Sequence, residues 1–141
     1  MLYFAFGSNL YQKQMKKRCK DSKYIRCHKL KGYKLNFRHM YYGGGVADVE
    51  RKRNSVVLGA IYRISKEDEK KLDVYEDFPD VYIKKYFKFL GKKAMFYYMP
   101  KKTKPIPPSK RYLNLIIQGY KDCGYNNTHI ILSRNKKIKI R

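Results

Sequence analysis

The first ten residues, MLYFAFGSNL, constrain this chain more than any other stretch. Leu2 to Phe6 is an uninterrupted apolar run of strand length, and it stops at Gly7. Ser8 and Asn9 follow at once. Both are good helix N-caps, so the pattern predicts a buried strand, a tight turn and a helix over Asn9–Cys19. A strand that turns directly into a helix start exposes backbone N–H groups around the turn. Such a turn either holds a carboxylate or a developing oxyanion, or is an ordinary junction that binds nothing.

A chain of 141 residues suits one domain with a real core. Apolar residues at 43% and aromatics at 16% exclude disorder. No run of about 18 apolar residues exists, so no membrane span is expected. The N-terminus has no basic region ahead of an apolar one and no small-residue cleavage site, so no signal peptide is expected. Cys19, Cys27 and Cys123 are irregularly spaced and form no CxxC pair. They point to free thiols in a reducing cytosol, hence a cytoplasmic protein, and away from a cysteine metal site. His28, His39 and His129 are scattered with no metal spacing, and His39 reads as a surface or packing histidine.

The formal net charge is +23, with basic runs at Lys16–Arg18, Arg51–Arg53, Lys101–Lys104 and Lys136–Arg141. Such a field attracts nucleic acid or other polyanions. A lysine-rich background composition produces the same charge without a partner, and no nucleic-acid-binding motif is present. The acidic residues are less evenly spread: of 11, seven lie between Glu67 and Asp80. Ser65 and Asp68 resemble a capping box, and Glu67 to Glu69 suit a first helical turn. In a helix over Lys66–Glu76, Leu72 and Tyr75 face inward, which puts Glu76 beside the buried stripe at the helix end. There Glu76 is either a solvated terminal carboxylate or a group whose pKa burial raises into the range of proton transfer.

Strands are expected at Leu2–Phe6, Tyr33–Phe37, Gly45–Val49, Val56–Ile64, Val81–Leu90 and Ala94–Met99, with a tight turn at Gly91-Lys92. Helices are expected at Asn9–Cys19, Lys66–Glu76 and Lys110–Asp122. The last has Pro107 and Pro108 ahead of it, Ser109 as N-cap and Gly124 as its stop. Gly43-Gly44-Gly45 is either a close backbone approach or a turn. The fold class is α+β, with a curved, mostly antiparallel sheet, potentially a barrel. Residues 126–141 form a basic tail whose apolar run, His129–Leu132, can add an edge strand.

The residues also carry a resemblance. Phe4-Ala5-Phe6-Gly7-Ser8-Asn9-Leu10 resembles the Tyr-Gly-Ser-Asn-Leu signature of the gamma-glutamylcyclotransferase-like family. Gly32-Tyr33-Lys34-Leu35-Asn36-Phe37, Gly44-Gly45-Val46-Ala47, Leu58-Gly59-Ala60-Ile61-Tyr62, Leu72-Asp73-x-x-Glu76 and Pro107-Pro108-Ser109-x-x-Tyr112 resemble further family segments in the right order. The resemblance covers residues 1–125. It implies a small mixed, mostly antiparallel β-barrel with surrounding helices. It also implies an intramolecular acyl transfer that releases 5-oxoproline and an amine or amino acid from a small γ-glutamyl substrate, with no metal or organic cofactor.

By the same resemblance Glu76 is the general acid/base. The segment Phe6, Gly7, Ser8, Asn9 and Leu10 would bind the glutamyl carboxylate or the oxyanion, and Tyr82 and Tyr112 would line the pocket, with Tyr97 a further candidate. Two departures stand out. Phe6 lacks the hydroxyl of the signature tyrosine. Asp77 replaces the usual glycine, and its carboxylate either meets Glu76 and raises its pKa or points to solvent. The alternatives are a non-catalytic barrel whose basic surface binds polyanions such as nucleic acid, and an enzyme of the same fold with a different acyl substrate. Ser8 lacks a nucleophile elbow and a histidine partner, and reads as a cap.

Overall fold

A computed structural model of the protein describes residues 1–40 and 43–126. The strands are β1 (Leu2–Ala5), β2 (Lys23–Arg38), β3 (Val46–Arg63), β4 (Ile83–Phe89) and β5 (Lys92–Tyr98). The helices are α1 (Gln12–Arg18), α2 (Lys66–Tyr75) and α3 (Lys110–Asp122), and a 3-10 turn spans Ser8–Leu10. The strands form one five-stranded sheet in the order β2-β3-β1-β5-β4. Every pairing is antiparallel except β1 with β5. β1 is central and buried along its whole length, which is why its sequence is a continuous apolar run rather than an alternation.

Among the described residues hydrogen bonds do not close this sheet into a barrel, and β2 and β4 are its edges. It curls until side chains bridge the gap. His28 of β2 stacks on Phe87 of β4 with ring centres 5.5 Å apart and meets Phe89 edge-on at 5.2 Å. The interior is aromatic and aliphatic, with Phe4, Phe37, Ile61 and Phe96 essentially inaccessible.

The strands depart from expectation in length. β2 begins ten residues before Tyr33, through a lysine-rich stretch in which Leu30 is the first buried position. Pairing with β3 from Lys23↔Arg63 onward makes this a strand, and the stretch has no apolar alternation of its own. β3 is likewise continuous where two strands were expected. Its exposed Arg51–Asn54 segment lies at a register shift opposite Lys31/Tyr33, with Asn54 at φ +62. The β4–β5 turn is Leu90-Gly91, one residue earlier than expected, and both have positive φ, as a two-residue hairpin requires.

The local helix signals fare better. α3 has the expected bounds, and Ser109 accepts a hydrogen bond from Tyr112 N–H at 3.1 Å. α2 carries the full Ser65–Asp68 capping box, although Tyr75 is 40% exposed and Leu72 alone of the expected pair is buried. α1 starts later than expected, at Gln12, and no side chain of Ser8, Asn9 or Tyr11 caps it. Asp122 at the end of α3 does so instead, accepting from Gln12 N–H at 2.8 Å.

Two contacts outside regular structure hold the site in place. Gly44 and Gly45 are a close approach: a Cβ there would lie 2.3 Å from Ser109 N and 2.2 Å from Ile106 O. The 101–108 loop is thereby laid on the end of the β2–β3 hairpin. Beneath it, the fully buried Asp48 accepts from Met99 N–H, Lys102 Nζ and Arg38 Nε at 2.8, 2.8 and 3.1 Å. The second contact corrects the free-thiol reading. Cys27 of β2 and Cys123 at the end of α3 are joined by a disulfide, leaving Cys19 as a buried free thiol. The apolar run His129–Leu132 lies outside the described residues. No described helix is long and apolar enough to cross a membrane.

Candidate active site

Where β1 runs into the 3-10 turn, the curled sheet opens into a cavity of about 230 Å³. Its lining includes Phe6, Gly7, Ser8, Asn9, Glu76, Tyr82, Tyr97 and Tyr112. These side chains come from both termini of the described chain and from its middle. Glu76 is the C-cap of α2, at φ −88 and ψ 1, so the helix end itself aims the residue. Among the described residues no hydrogen bond to its carboxylate contributes to its titration. Burial pushes the carboxyl up to about 8, and the Arg18 guanidinium opposes that rise. A half-buried carboxyl with no hydrogen-bond partner among the described residues, open to a cavity and pushed up to about 8, is suited to taking and returning a proton.

Ser8 and Asn9 are used for tertiary contacts. Ser8 Oγ lies 3.0 Å from the Tyr75 hydroxyl, and Asn9 Nδ2 donates to Tyr3 Oη at 3.1 Å. The turn's own backbone bonds are Leu10 N–H to Gly7 C=O and Tyr11 N–H to Ser8 C=O. They leave the N–H groups of Ser8 and Asn9 without an acceptor among the described residues, and both residues line the cavity. Leu10 is placed differently from the expectation. It is fully buried, its N–H is taken by Gly7, and its carbonyl accepts from Tyr62 Oη at 3.3 Å, so it is not part of the lining.

The tyrosines form a second set of fixed donors. Tyr82 Oη donates to the Ala47 carbonyl at 2.7 Å, and Tyr112 Oη accepts from Ala47 N–H at 3.0 Å. The two hydroxyls therefore hold both backbone groups of one β3 residue, Ala47, and among the described residues the Tyr112 hydroxyl proton has no acceptor. Tyr97 Oη donates to Asp73 at 2.6 Å. Burial raises the pKa of Tyr3, Tyr82, Tyr97 and Tyr112, so all four stay neutral. Phe6 lines the cavity without a hydroxyl, among these phenols.

Asp77 is outside the lining and is not among the causes of the Glu76 shift. It sits at φ +55, in the left-handed region that glycine adopts without strain and that aspartate tolerates. The backbone conformation thus accounts for the glycine expected there. Sequence reasoning missed Tyr3, Tyr75 and Arg18. Tyr75 was read as core, and Tyr3 was hidden inside an apolar run. Arg18 resembles any basic residue in a last helical turn. Among the described residues no His, Cys, Asp and Glu group could hold a metal ion.

The turn reaches the cavity because α3 packs directly on it through Gly119. A Cβ at Gly119 would lie 2.7 Å from Tyr11 N and 2.8 Å from two Leu10 atoms. Gly119→Ala is therefore expected to push α3 off the turn. The expected loss is about 1–3 kcal/mol of stability, despite alanine's better helix propensity, and it shows as a lower Tm. An unchanged Tm would mean that the turn yields easily.

A half-buried carboxyl and the Gly7–Asn9 turn thus share the wall of one cavity on the curled sheet. Comparison with known proteins agrees in family. The model of the gamma-glutamyl cyclotransferase, AIG2-like family matches residues 3–114, and the chain belongs to that family. Among solved structures, it is similar to the uncharacterized Homo sapiens protein loc79017, with 27% identity, TM-score 0.74, and 87% of this chain and 79% of that chain covered. It is similar to a structure named gamma-glutamyl cyclotransferase, with 26% identity, TM-score 0.74 and the same coverage, 87% and 79%. YkqA from Bacillus subtilis shares the fold, with 21% identity, TM-score 0.76, and 95% of this chain and 53% of that chain covered. A search of curated proteins found no match.

Proposed function

We propose that the protein is a γ-glutamyl cyclotransferase that releases 5-oxoproline. The observation that carries this reading is the Glu76 carboxyl, raised to about 8, in the same cavity wall as the Gly7–Asn9 turn. The carboxylate of Glu76 takes a proton from the substrate's α-ammonium. The freed amine attacks the γ-carbonyl carbon of its own glutamyl group, forming the new C–N bond and a tetrahedral oxyanion. In this reading the N–H groups of Ser8 and Asn9 stabilise that charge. Collapse breaks the original C–N bond as protonated Glu76 gives its proton to the leaving nitrogen. The ring nitrogen still carries two protons and loses one to the released amine, which departs as an ammonium, and the Glu76 carboxylate is regenerated. A five-membered ring closes within one molecule, so holding the glutamyl chain folded supplies several kcal/mol of the acceleration, on the order known for intramolecular reactions.

The test is 5-oxoproline release from a panel of γ-glutamyl dipeptides, glutathione and γ-glutamyl-lysine. Release from at least one is expected, and its identity names the leaving group. No release from any of them overturns the reading.

A second reading concerns the surface and is compatible with the first. Lys85 Nζ lies 5.8 and 5.5 Å from the ring centres of Tyr33 and Tyr98, Arg51 covers Tyr33 at 5.5 Å, and neither cation has a carboxylate partner among the described residues. Interleaved cations and partly exposed rings suit single-stranded nucleic acid. Such binding is expected to weaken steeply with salt and to weaken further in an Arg51→Glu/Lys85→Glu variant; equal binding by that variant assigns it to net charge alone.

A further inference from the structure

Arg18 closes α1, where a cation suits the helix C-terminus for dipole reasons alone. Lys16 and Lys17 beside it are exposed, but Arg18 is half-buried and turned inward. Its Cζ lies 3.6 Å from the centre of the Tyr75 ring, and its Nη1 donates to Asn9 Oδ1. Arg38 and Lys84, also turned inward, have carboxylate partners. Arg18 has none among the described residues.

We propose that Arg18 is a positioning residue of the acyl-transfer site: from behind the cavity wall it clamps Asn9 of the Gly7–Asn9 turn to Tyr75 and holds its positive charge at Tyr75, the residue next to Glu76. Each residue it touches is one half of a pair. Asn9 holds the Tyr3 hydroxyl and Tyr75 meets Ser8, so one guanidinium ties together four residues that line the cavity. A planar guanidinium stacks by its face and donates from its edge at the same time, which an ammonium cannot do.

The charge matters because, among the described residues, Glu76 is the one lining residue with a charge-bearing carboxylate or cationic side chain. The groups around Glu76 are the phenols of Tyr3 on β1, Tyr75 on α2, Tyr82 ahead of β4, Tyr97 on β5 and Tyr112 on α3. Burial alone drives the Glu76 carboxyl upward, and Arg18 is the group that holds it down. A carboxyl too reluctant to ionise would give up catalysis as a base, so Arg18 keeps it within working range.

The test is a carbon-13 NMR titration of the Glu76 carboxyl in wild type, Arg18→Gln and Arg18→Lys, with Glu76→Gln assigning the signal. In Arg18→Gln the midpoint is expected to rise by about one pH unit. Arg18→Lys, which keeps the charge, is expected to restore most of it. Arg18→Met, which keeps an apolar stem on Tyr75, serves if the Gln variant fails to fold. Rate against pH should show its rising limb displaced by the same amount in the neutral variants, with a raised KM alone in Arg18→Lys. A folded neutral variant whose Glu76 midpoint is unchanged overturns the proposal, even if its Tm and turnover fall. The kinetic part rests on the cyclotransferase reading, whereas the titration does not. A displaced midpoint in a protein that turns over no γ-glutamyl substrate would uphold Arg18 and reject that reading alone.

Discussion

Glu76→Gln is expected to lower 5-oxoproline release by about 10³-fold or more while producing a better-folded protein at alkaline pH. The amide has nearly the shape of the protonated carboxyl, so the cavity and substrate binding are retained, but it can neither take the α-ammonium proton nor return one. The stability gain follows from the carboxyl's displacement from its ordinary value of 4.5 to about 8. Below the ordinary value both folded and unfolded chains hold the proton, and the group has no effect. Between the two values the unfolded chain ionises while the fold keeps its proton, so stability falls as pH rises. Above the folded value the full penalty applies, on the order of 5 kcal/mol.

The glutamine variant escapes this penalty. It should melt roughly 15 °C above wild type at pH 9 and together with it near pH 4. Wild-type-like turnover would remove Glu76 from the mechanism. Equal melting at alkaline pH would show a carboxyl that stays hydrated.

Reducing the Cys27–Cys123 bond is expected to cost about 2–4 kcal/mol. Its sequence separation is 96 residues, so the bond constrains most of the chain in the unfolded state. In the fold it fastens the end of α3 to the edge strand β2. That helix carries Tyr112 to the cavity, packs on the turn through Gly119 and caps α1 through Asp122. Loosening its far end should therefore weaken the site along with the fold. Cys123→Ser, or wild type in excess reductant, should melt about 10 °C lower than the oxidised protein. Between the two melting temperatures, activity should survive in the oxidised form alone. Thiol counting on the purified protein checks the premise: one reactive thiol after denaturation is expected, and three would remove it.

What could be read from residue order alone was local. Leu2–Phe6 announced a buried strand because every position in it is apolar. Ser65 with Asp68, and Ser109 after two prolines, announced helix starts because a cap and its target lie three residues apart. Glu76 could be placed beside a buried stripe by helical spacing, and its role came from the resemblance. The Lys23–Lys29 half of β2 had no such signal. Its side chains do not alternate, and only hydrogen bonds to β3, more than thirty residues away on average, make it a strand.

The same division runs through the site. By itself the sequence determined an α+β chain, its caps, its central strand and the presence of a carboxylate after α2, because these depend on neighbours within one or two turns. Tertiary structure decided that Ser8 and Asn9 fasten the turn rather than cap a helix, that Leu10 faces the core, and that Cys27 meets Cys123. It also decided that the sheet curls without closing and that Arg18 stacks on Tyr75, the residue before Glu76. Each of these rests on atoms brought together from distant parts of the chain, and the free energy of such contacts depends on burial and distance that no local pattern encodes.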